Sequence, residues 1–176
     1  MTTTKQVSAL QFIGKPFLPS MLDEKGSLAS AWLEMADDGS LDRLDQFALE
    51  QQQTLTRATL VAFSPYSFVA WIGGIFSAEI QAPTEFKNIV LPASEVAFNE
   101  TPTQTQIWQL PLNSIVGLAM DKLEKQHVQL PNHLGQTDKP YFLEYYDLNP
   151  QFEVTKLTQY IYLGKETNNG DETYYD

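Results

Sequence analysis

Residues 140–148, PYFLEYYDL, constrain the fold more than any other stretch of the chain. The run is aromatic and apolar, and Glu144 lies at its centre. Side chains of a β-strand alternate between faces, so Phe142, Glu144 and Tyr146 share one face and the odd-numbered residues share the other. Burying an unpaired carboxylate among rings costs on the order of several kcal/mol. The run therefore predicts that Glu144 is either a hydrogen-bonded structural acid or the receptor for a cation.

The size and charge of the chain limit its classes of partner. With 176 residues, 43% of them hydrophobic, the chain can bury a core, and we expect one domain over 1–165 followed by a flexible acidic tail over 166–176. The formal net charge of -11, from 22 acidic and 11 basic residues, disfavours nucleic acid and anionic membranes. A cationic or neutral small molecule remains compatible, as does a basic protein partner.

Several chemistries find no support in the sequence. There is no cysteine, and the two histidines, His127 and His133, lie in or near a loop, so we expect no metal site and no cofactor. The pair Gly73 and Gly74 lacks the lysine and helix start of a phosphate loop. No stretch approaches the length of a membrane span, and the first residues form no apolar leader, which favours a cytoplasmic location.

The first half of the chain has the pattern of a strand, helices and two strands. A strand is predicted at 5–13, and two helices are predicted to follow Ser27 and Ser40, which can cap their N-termini. Two strands are predicted within 58–78, joined through 64–67. Glycines inside a strand pattern indicate a bulge or the close approach of another backbone, so we expect such a feature at Gly73 and Gly74.

The second half repeats the same order of elements. A strand at 88–99 precedes a helix over 112–123, whose apolar residues recur at i, i+3, i+4 and i+7. Two strands follow, at 140–148 and 152–163. The sequence therefore predicts an α+β domain of two β-α-β-β halves.

The second half also resembles the GyrI-like small-molecule-binding family, known as the effector-binding domain of multidrug-responsive bacterial transcription regulators. Five segments carry this resemblance: VAWIGGIF at 69–76, VLPASEVAF at 90–98, the pair Ile107 and Trp108, PYFLEYYDL at 140–148, and TQYIYLGK at 158–165. In order of elements the resemblance extends over about residues 5–165.

The resemblance implies a fold and a site. It implies pseudo-symmetric halves that form one antiparallel sheet, with helices on one face and a central ligand groove. A glutamate amid aromatic rings forms the floor of the pocket in such domains, and Glu144 occupies the matching position. The implied ligand is a cationic or amphipathic, drug-like molecule. The rings that we expect around it are Trp71, Tyr146, Phe12, Trp108, Tyr160 and Tyr162.

Three functions remain open on the sequence alone. The first is a stand-alone small-molecule-binding protein that serves transcriptional effector sensing or xenobiotic sequestration. The second keeps the same pocket and makes Glu144, with Tyr146, the general base of a hydrolase acting on electrophilic xenobiotics. The third is an acidic inhibitor of another protein, of the gyrase-inhibitor type, which uses the net charge of -11.

Overall fold

The computed structural model describes residues 3–107 and 110–167. The strands are β1 (Thr4–Val7), β2 (Leu10–Phe17), β3 (Thr56–Phe63), β4 (Phe68–Ser77), β5 (Lys87–Leu91), β6 (Ser94–Pro102), β7 (Tyr141–Leu148) and β8 (Val154–Tyr162). The helices are α1 (Ala29–Asp37), α2 (Ser40–Glu50) and α3 (Leu112–Lys125), with 3-10 turns at Pro19–Met21 and Leu134–Gln136. In the described part of the chain, no helix is long and apolar enough to cross a membrane.

All eight strands form one antiparallel sheet in the order β1-β6-β8-β7-β3-β4-β2-β5. The triplet β2-β4-β3 of the first half corresponds to β6-β8-β7 of the second half, and the two triplets meet where β3 pairs with β7. The prediction of an α+β fold with two related halves is confirmed.

Two short linkers force the sheet to curl. β1 and β2 lie six strand spacings apart in the sheet order, which is roughly 29 Å in a flat sheet. Only Ser8 and Ala9 separate them, and three chain steps span at most about 11 Å. Pro92 and Ala93 join β5 to β6 in the same way. The single strands predicted at 5–13 and 88–99 are therefore each broken in two, because each one bends from one end of the sheet to the other.

The helices pack on one face of the sheet, here called the helix face. α2 packs against β4 and α3 packs against β6. In α3 the buried residues follow the predicted spacing of 3 to 4: Leu112, Ile115, Ala119 and Leu123. These helices and the sheet share one hydrophobic core, whose sheet residues include Ile13, Val61, Phe142 and Ile161.

The opposite face of the sheet, here called the far face, carries a second core. It is rich in aromatic and branched residues: Phe12, Leu60, Leu91, Val96, Leu143, Tyr160 and Tyr162. Because both faces of the central strands are buried, the strands have few of the polar alternations typical of a half-exposed sheet.

Gly14 and Gly73 face each other where β2 pairs with β4. A Cβ on Gly73 would lie 2.0 Å from the carbonyl oxygen of Ile13, and a Cβ on Gly14 would lie 2.0 Å from that of Ile72. Neither position has room for a side chain. The close backbone approach predicted for the glycine pair is therefore present at Gly73, and β4 continues through it without a break.

The predicted acidic tail begins inside the described residues. Glu166 forms an isolated β-bridge with Thr137, and the Thr167 N–H donates to the Gln136 carbonyl at 2.6 Å. The remainder of the predicted tail, 168–176, lies outside the described residues.

Candidate functional site

Glu144 lies in the middle of β7, on the helix face of the sheet. β7 pairs with β3 on one side and with β8 on the other, and Phe142, two residues earlier on the same face, belongs to the core under the helices. In the sheet order, β7 lies between β4, where α2 packs, and β6, where α3 packs. Only 2% of the Glu144 surface is exposed.

A row of buried polar side chains crosses the sheet at the level of Glu144. Thr59 of β3 and Gln159 of β8 are its direct partners across the two strand pairs, and Asn99 of β6 is the partner of Gln159. The Gln159 Nε2 donates to Glu144 Oε2 at 2.7 Å, and Asn99 Nδ2 donates to Gln159 Oε1 at 3.4 Å. The three hydrogen-bonded side chains therefore form one chain that ends on the carboxylate.

The neighbouring row of the sheet is apolar. Two residues further along each strand lie fully buried hydrophobic side chains: Val61, Phe142, Ile161 and Ala97. Removing the carboxylate from water into this environment disfavours its charged form. Burial raises the pKa of Glu144 from its usual 4.5 to about 7, and the hydrogen bond from Gln159 opposes that rise.

The row on the other side of Glu144 contains a salt bridge. Arg57 of β3 and Asp45 of α2 form a bidentate pair, with N–O distances of 2.5 and 2.8 Å. The guanidinium of Arg57 is thus paired with Asp45 and not with Glu144. Among the described residues, no lysine, arginine or histidine forms an ion pair with Glu144. Its carboxylate is therefore a buried acid without a cationic partner in that part of the chain.

Tyr146 lies on the same face, beside Arg57 across the β3–β7 pair. Its side chain is buried, and its hydroxyl accepts a hydrogen bond of 2.6 Å from the Ile107 N–H. Burial first, and the Glu144 charge second, raise the pKa of Tyr146. The structure thus brings together two of the residues predicted for the site, Glu144 and Tyr146.

Four of the predicted rings lie on the far face of the sheet. Phe12 and Trp71 contact each other edge to face, with ring centroids 6.1 Å apart. Tyr160 and Tyr162 belong to the same far-face core. The structure therefore divides the predicted rings between two faces, with Tyr146 beside Glu144 and these four behind the sheet. Trp108, the remaining one, lies outside the described residues.

The far face also has a cavity. Its volume is about 390 Å³, and its lining includes the linker residues Ser8 and Ala9 together with Tyr145, Asp147 and Tyr160. The hydroxyls of Tyr145 and Tyr160 are 3.2 Å apart. Tyr160 is thus a predicted site residue that lines a cavity, although not one that contains Glu144.

Sequence reasoning did not single out Thr59, Asn99 or Gln159. The alternation of β7 identifies the face of Glu144, but the register between strands decides which residues lie beside it. The sequence signal that could have identified one of these three is an amide side chain inside an otherwise β-branched and aromatic strand run, and Gln159 in the run TQYIY is such a residue.

Among the described residues, no group of three His, Cys, Asp or Glu side chains is arranged so that it could hold a metal ion.

Comparisons with known proteins give matches of structure only. No protein-family model matches the chain, and no curated protein matches it in sequence. Among solved structures, SAV2435 bound to tetraphenylphosphonium is similar with a TM-score of 0.56 and 12% identity, over 96% of each chain. A protein of Staphylococcus aureus MU50, assigned by its name to bacterial transcription regulation, is similar with a TM-score of 0.54 and 14% identity, over 92% of this chain and 96% of that one. At such identities the likeness establishes a shared fold.

Proposed function

We propose that this protein is a GyrI-like binding protein for cationic or amphipathic organic molecules, with Glu144 as the group that receives the positive charge. The observation that carries the proposal is the buried carboxylate on the helix face, for which the described residues supply a hydrogen bond but no cation. An organic cation would offset the cost of burying that charge. Effector sensing in transcription and sequestration of xenobiotics are the roles that such binding would serve.

The structural neighbours support the proposal. SAV2435, which has the same fold over 96% of its chain, is bound to tetraphenylphosphonium, a lipophilic cation. Tyr146 lies on the same face as Glu144 and is 2% exposed, so its ring would make a cation–π contact, worth about 0.5–2 kcal/mol, with a ligand that reaches the buried carboxylate. Because Glu144 is only 2% exposed, a ligand must displace side chains that cover the carboxylate.

Two ions of matched shape and opposite charge test the proposal. Binding of tetraphenylphosphonium and of tetraphenylborate is measured by calorimetry at pH 8, above the raised pKa of Glu144, which is about 7. We expect the wild type to bind the phosphonium and not the borate, and we expect Glu144→Gln to lose about tenfold or more of the phosphonium affinity. Glu95→Gln, which removes an exposed charge of the same sheet, is the control and should bind as the wild type does. Equal phosphonium affinity in wild type and Glu144→Gln would refute the role of the acid.

A hydrolase is the second candidate, and the pKa of Glu144 favours it. An acid whose pKa is raised to about 7 can accept a proton from water at physiological pH. The water oxygen then bonds to the electrophilic carbon while the bond from that carbon to the ester alkoxide or epoxide oxygen breaks, and protonated Glu144 returns its proton to the departing oxygen. Turnover of activated esters and aromatic epoxides by wild type, rising with pH through about 7 and absent in Glu144→Gln, would support hydrolysis. Binding of the phosphonium without turnover of that panel would favour the first candidate.

A further inference from the structure

We propose that Asn99 and Gln159 are positioning residues that keep the Glu144 carboxylate charged and leave one of its oxygens for the ligand. The inference rests on the function proposed above. The two amide side chains are buried from solvent, and in this proposal neither of them contacts the cation. Gln159 lies on β8, one strand away from β7, and Asn99 lies on β6, two strands away. Both are buried on the helix face.

The geometry divides the two carboxylate oxygens of Glu144. Oε2 accepts the 2.7 Å hydrogen bond from Gln159 Nε2. No described residue donates a hydrogen bond to Oε1, which is the oxygen that remains for a cationic or hydrogen-bond-donating ligand. The hydrogen bond from Gln159 thus fixes one oxygen of Glu144 and restrains the glutamate side chain. Gln159 itself has little freedom, because its strand β8 is paired with β6 on one side and with β7 on the other.

Asn99 supports one orientation of the Gln159 amide relative to Glu144. A glutamine side chain has a donor end and an acceptor end. Asn99 Nδ2 donates to the acceptor end, Gln159 Oε1, so the donor end is directed at the carboxylate. With the amide reversed, its carbonyl oxygen would face Glu144, and only the protonated acid could donate to it. The orientation of this amide therefore selects the charged form of Glu144, the form that attracts a cation.

The other groups around Glu144 do not supply the same control. On β7 the neighbouring titratable residue of this face is Tyr146, and from β3 and α2 come Arg57 and Asp45, which neutralise each other. The remaining elements on this face turn apolar residues toward the sheet, such as Trp32 and Met35 of α1 and Ile115 and Leu123 of α3. In the described part of the chain, Thr59 of β3 and the two amides are the polar groups in line with the carboxylate, and among these Gln159 is the one that donates a hydrogen bond to it.

The first test needs no ligand. The pKa of Glu144 is measured from the NMR shift of its carboxyl carbon, assigned by its absence in Glu144→Gln. We expect Gln159→Leu to raise this pKa by about one pH unit or more, because the hydrogen bond to the charged form is lost. Asn99→Leu should raise it by a smaller amount, because the amide is free to reverse. Gln11→Leu removes a buried glutamine that bonds to Ser77, Ile80 and Asn88 instead, and should leave the pKa of Glu144 unchanged.

The second test measures tetraphenylphosphonium affinity at pH 7 and at pH 9. A pKa that rises by one unit from about 7 lowers the ionised fraction at pH 7 from about one half to about one tenth, so the affinity of Gln159→Leu should fall about fivefold. At pH 9 the same variant is largely ionised and the loss should nearly vanish. A merely structural role would produce the same loss at both pH values.

The outcomes separate this inference from the proposed function. An unchanged Glu144 pKa in both Gln159→Leu and Asn99→Leu overturns the positioning role, whatever the protein binds. A raised pKa in a protein whose wild type does not bind the phosphonium supports the control of charge and overturns the proposed ligand. If Gln159→Leu does not fold, Asn99→Leu retains the glutamine and decides the question by the same two measurements.

Discussion

Glu144 and Tyr145 are consecutive residues of β7, but their side chains lie on opposite faces of the sheet and belong to separate polar contacts. Glu144 is hydrogen-bonded to Gln159 on the helix face, and the Tyr145 hydroxyl lies 3.2 Å from that of Tyr160 on the far face. Substitutions at these two consecutive positions therefore affect two different sites, one on each face of the sheet.

We expect Glu144→Gln to stabilise the protein in alkaline solution. The folded pKa of about 7 lies above the unfolded value near 4.5, so this group stabilises the fold at low pH, and that contribution is lost as the pH rises through 7. The pKa difference corresponds to a loss of about 3 kcal/mol in the free energy of unfolding of the wild type. The neutral amide of Glu144→Gln does not ionise, so the variant avoids this loss. Urea unfolding at pH 5 and pH 8.5 measures the effect. The gain of Glu144→Gln over wild type should be larger at pH 8.5, and an equal difference at both pH values would contradict it.

Tyr145→Phe should leave cation binding unchanged and lower stability slightly. The substitution removes the hydroxyl that contacts Tyr160 and retains the ring, so the cost should be about 1 kcal/mol. Chemical denaturation gives the stability, and tetraphenylphosphonium calorimetry gives the affinity. A loss of affinity comparable to that of Glu144→Gln would mean that the ligand lies on the far face, in the cavity that Tyr145 and Tyr160 line.

Gly73→Ala should be severely destabilising, by about 3 kcal/mol or more, because the new methyl group would meet the Ile13 carbonyl oxygen of the paired strand at 2.0 Å. Gly117→Ala is the matched control. No atom lies within 4 Å of a Cβ built at Gly117 in α3, so alanine there should raise stability by about 0.5–1 kcal/mol through its higher helix propensity. Thermal unfolding of the two variants should therefore shift in opposite directions.

The Arg57–Asp45 pair should anchor α2 to β3. Its side chains are 15% and 10% exposed, so removing one partner leaves a largely buried charge. We expect Asp45→Ala and Arg57→Ala each to cost about 2 kcal/mol or more, and the double variant to cost less than their sum. A double-mutant cycle from denaturant unfolding measures the coupling. Additive losses would show that the pair contributes no interaction energy.

Local patterns in the sequence predicted most of the elements. The buried spacing of α3, the two strands on either side of 64–67 and the alternation of β7 are each determined by residues close together in the chain. The sequence predicts each of these elements to within a few residues. The face of Glu144 followed from the same alternation.

Relations between strands were harder to predict. The sequence indicates that Tyr160 and Tyr162 share a face of β8, but the pairing register places that face on the opposite side of the sheet from Glu144. Gln159, between those two tyrosines, is the residue that meets the carboxylate. The break at Ser8 and Ala9 was missed for a related reason, since a bend of the strand serves the closure of the whole sheet and leaves little local signal.

The linkers at 8–9 and 92–93 have a consequence for the assembly of the chain. β1, from the first half, completes the edge of the second half by pairing with β6, and β5, from the second half, completes the edge of the first half by pairing with β2. Each half thus lends the other a strand, as two subunits do in a domain-swapped dimer. A chain cut between β4 and β5 would yield two fragments, and each fragment would carry an edge strand that the other lacks. β2 of the first fragment would then pair with β5 of the second, and β6 of the second with β1 of the first.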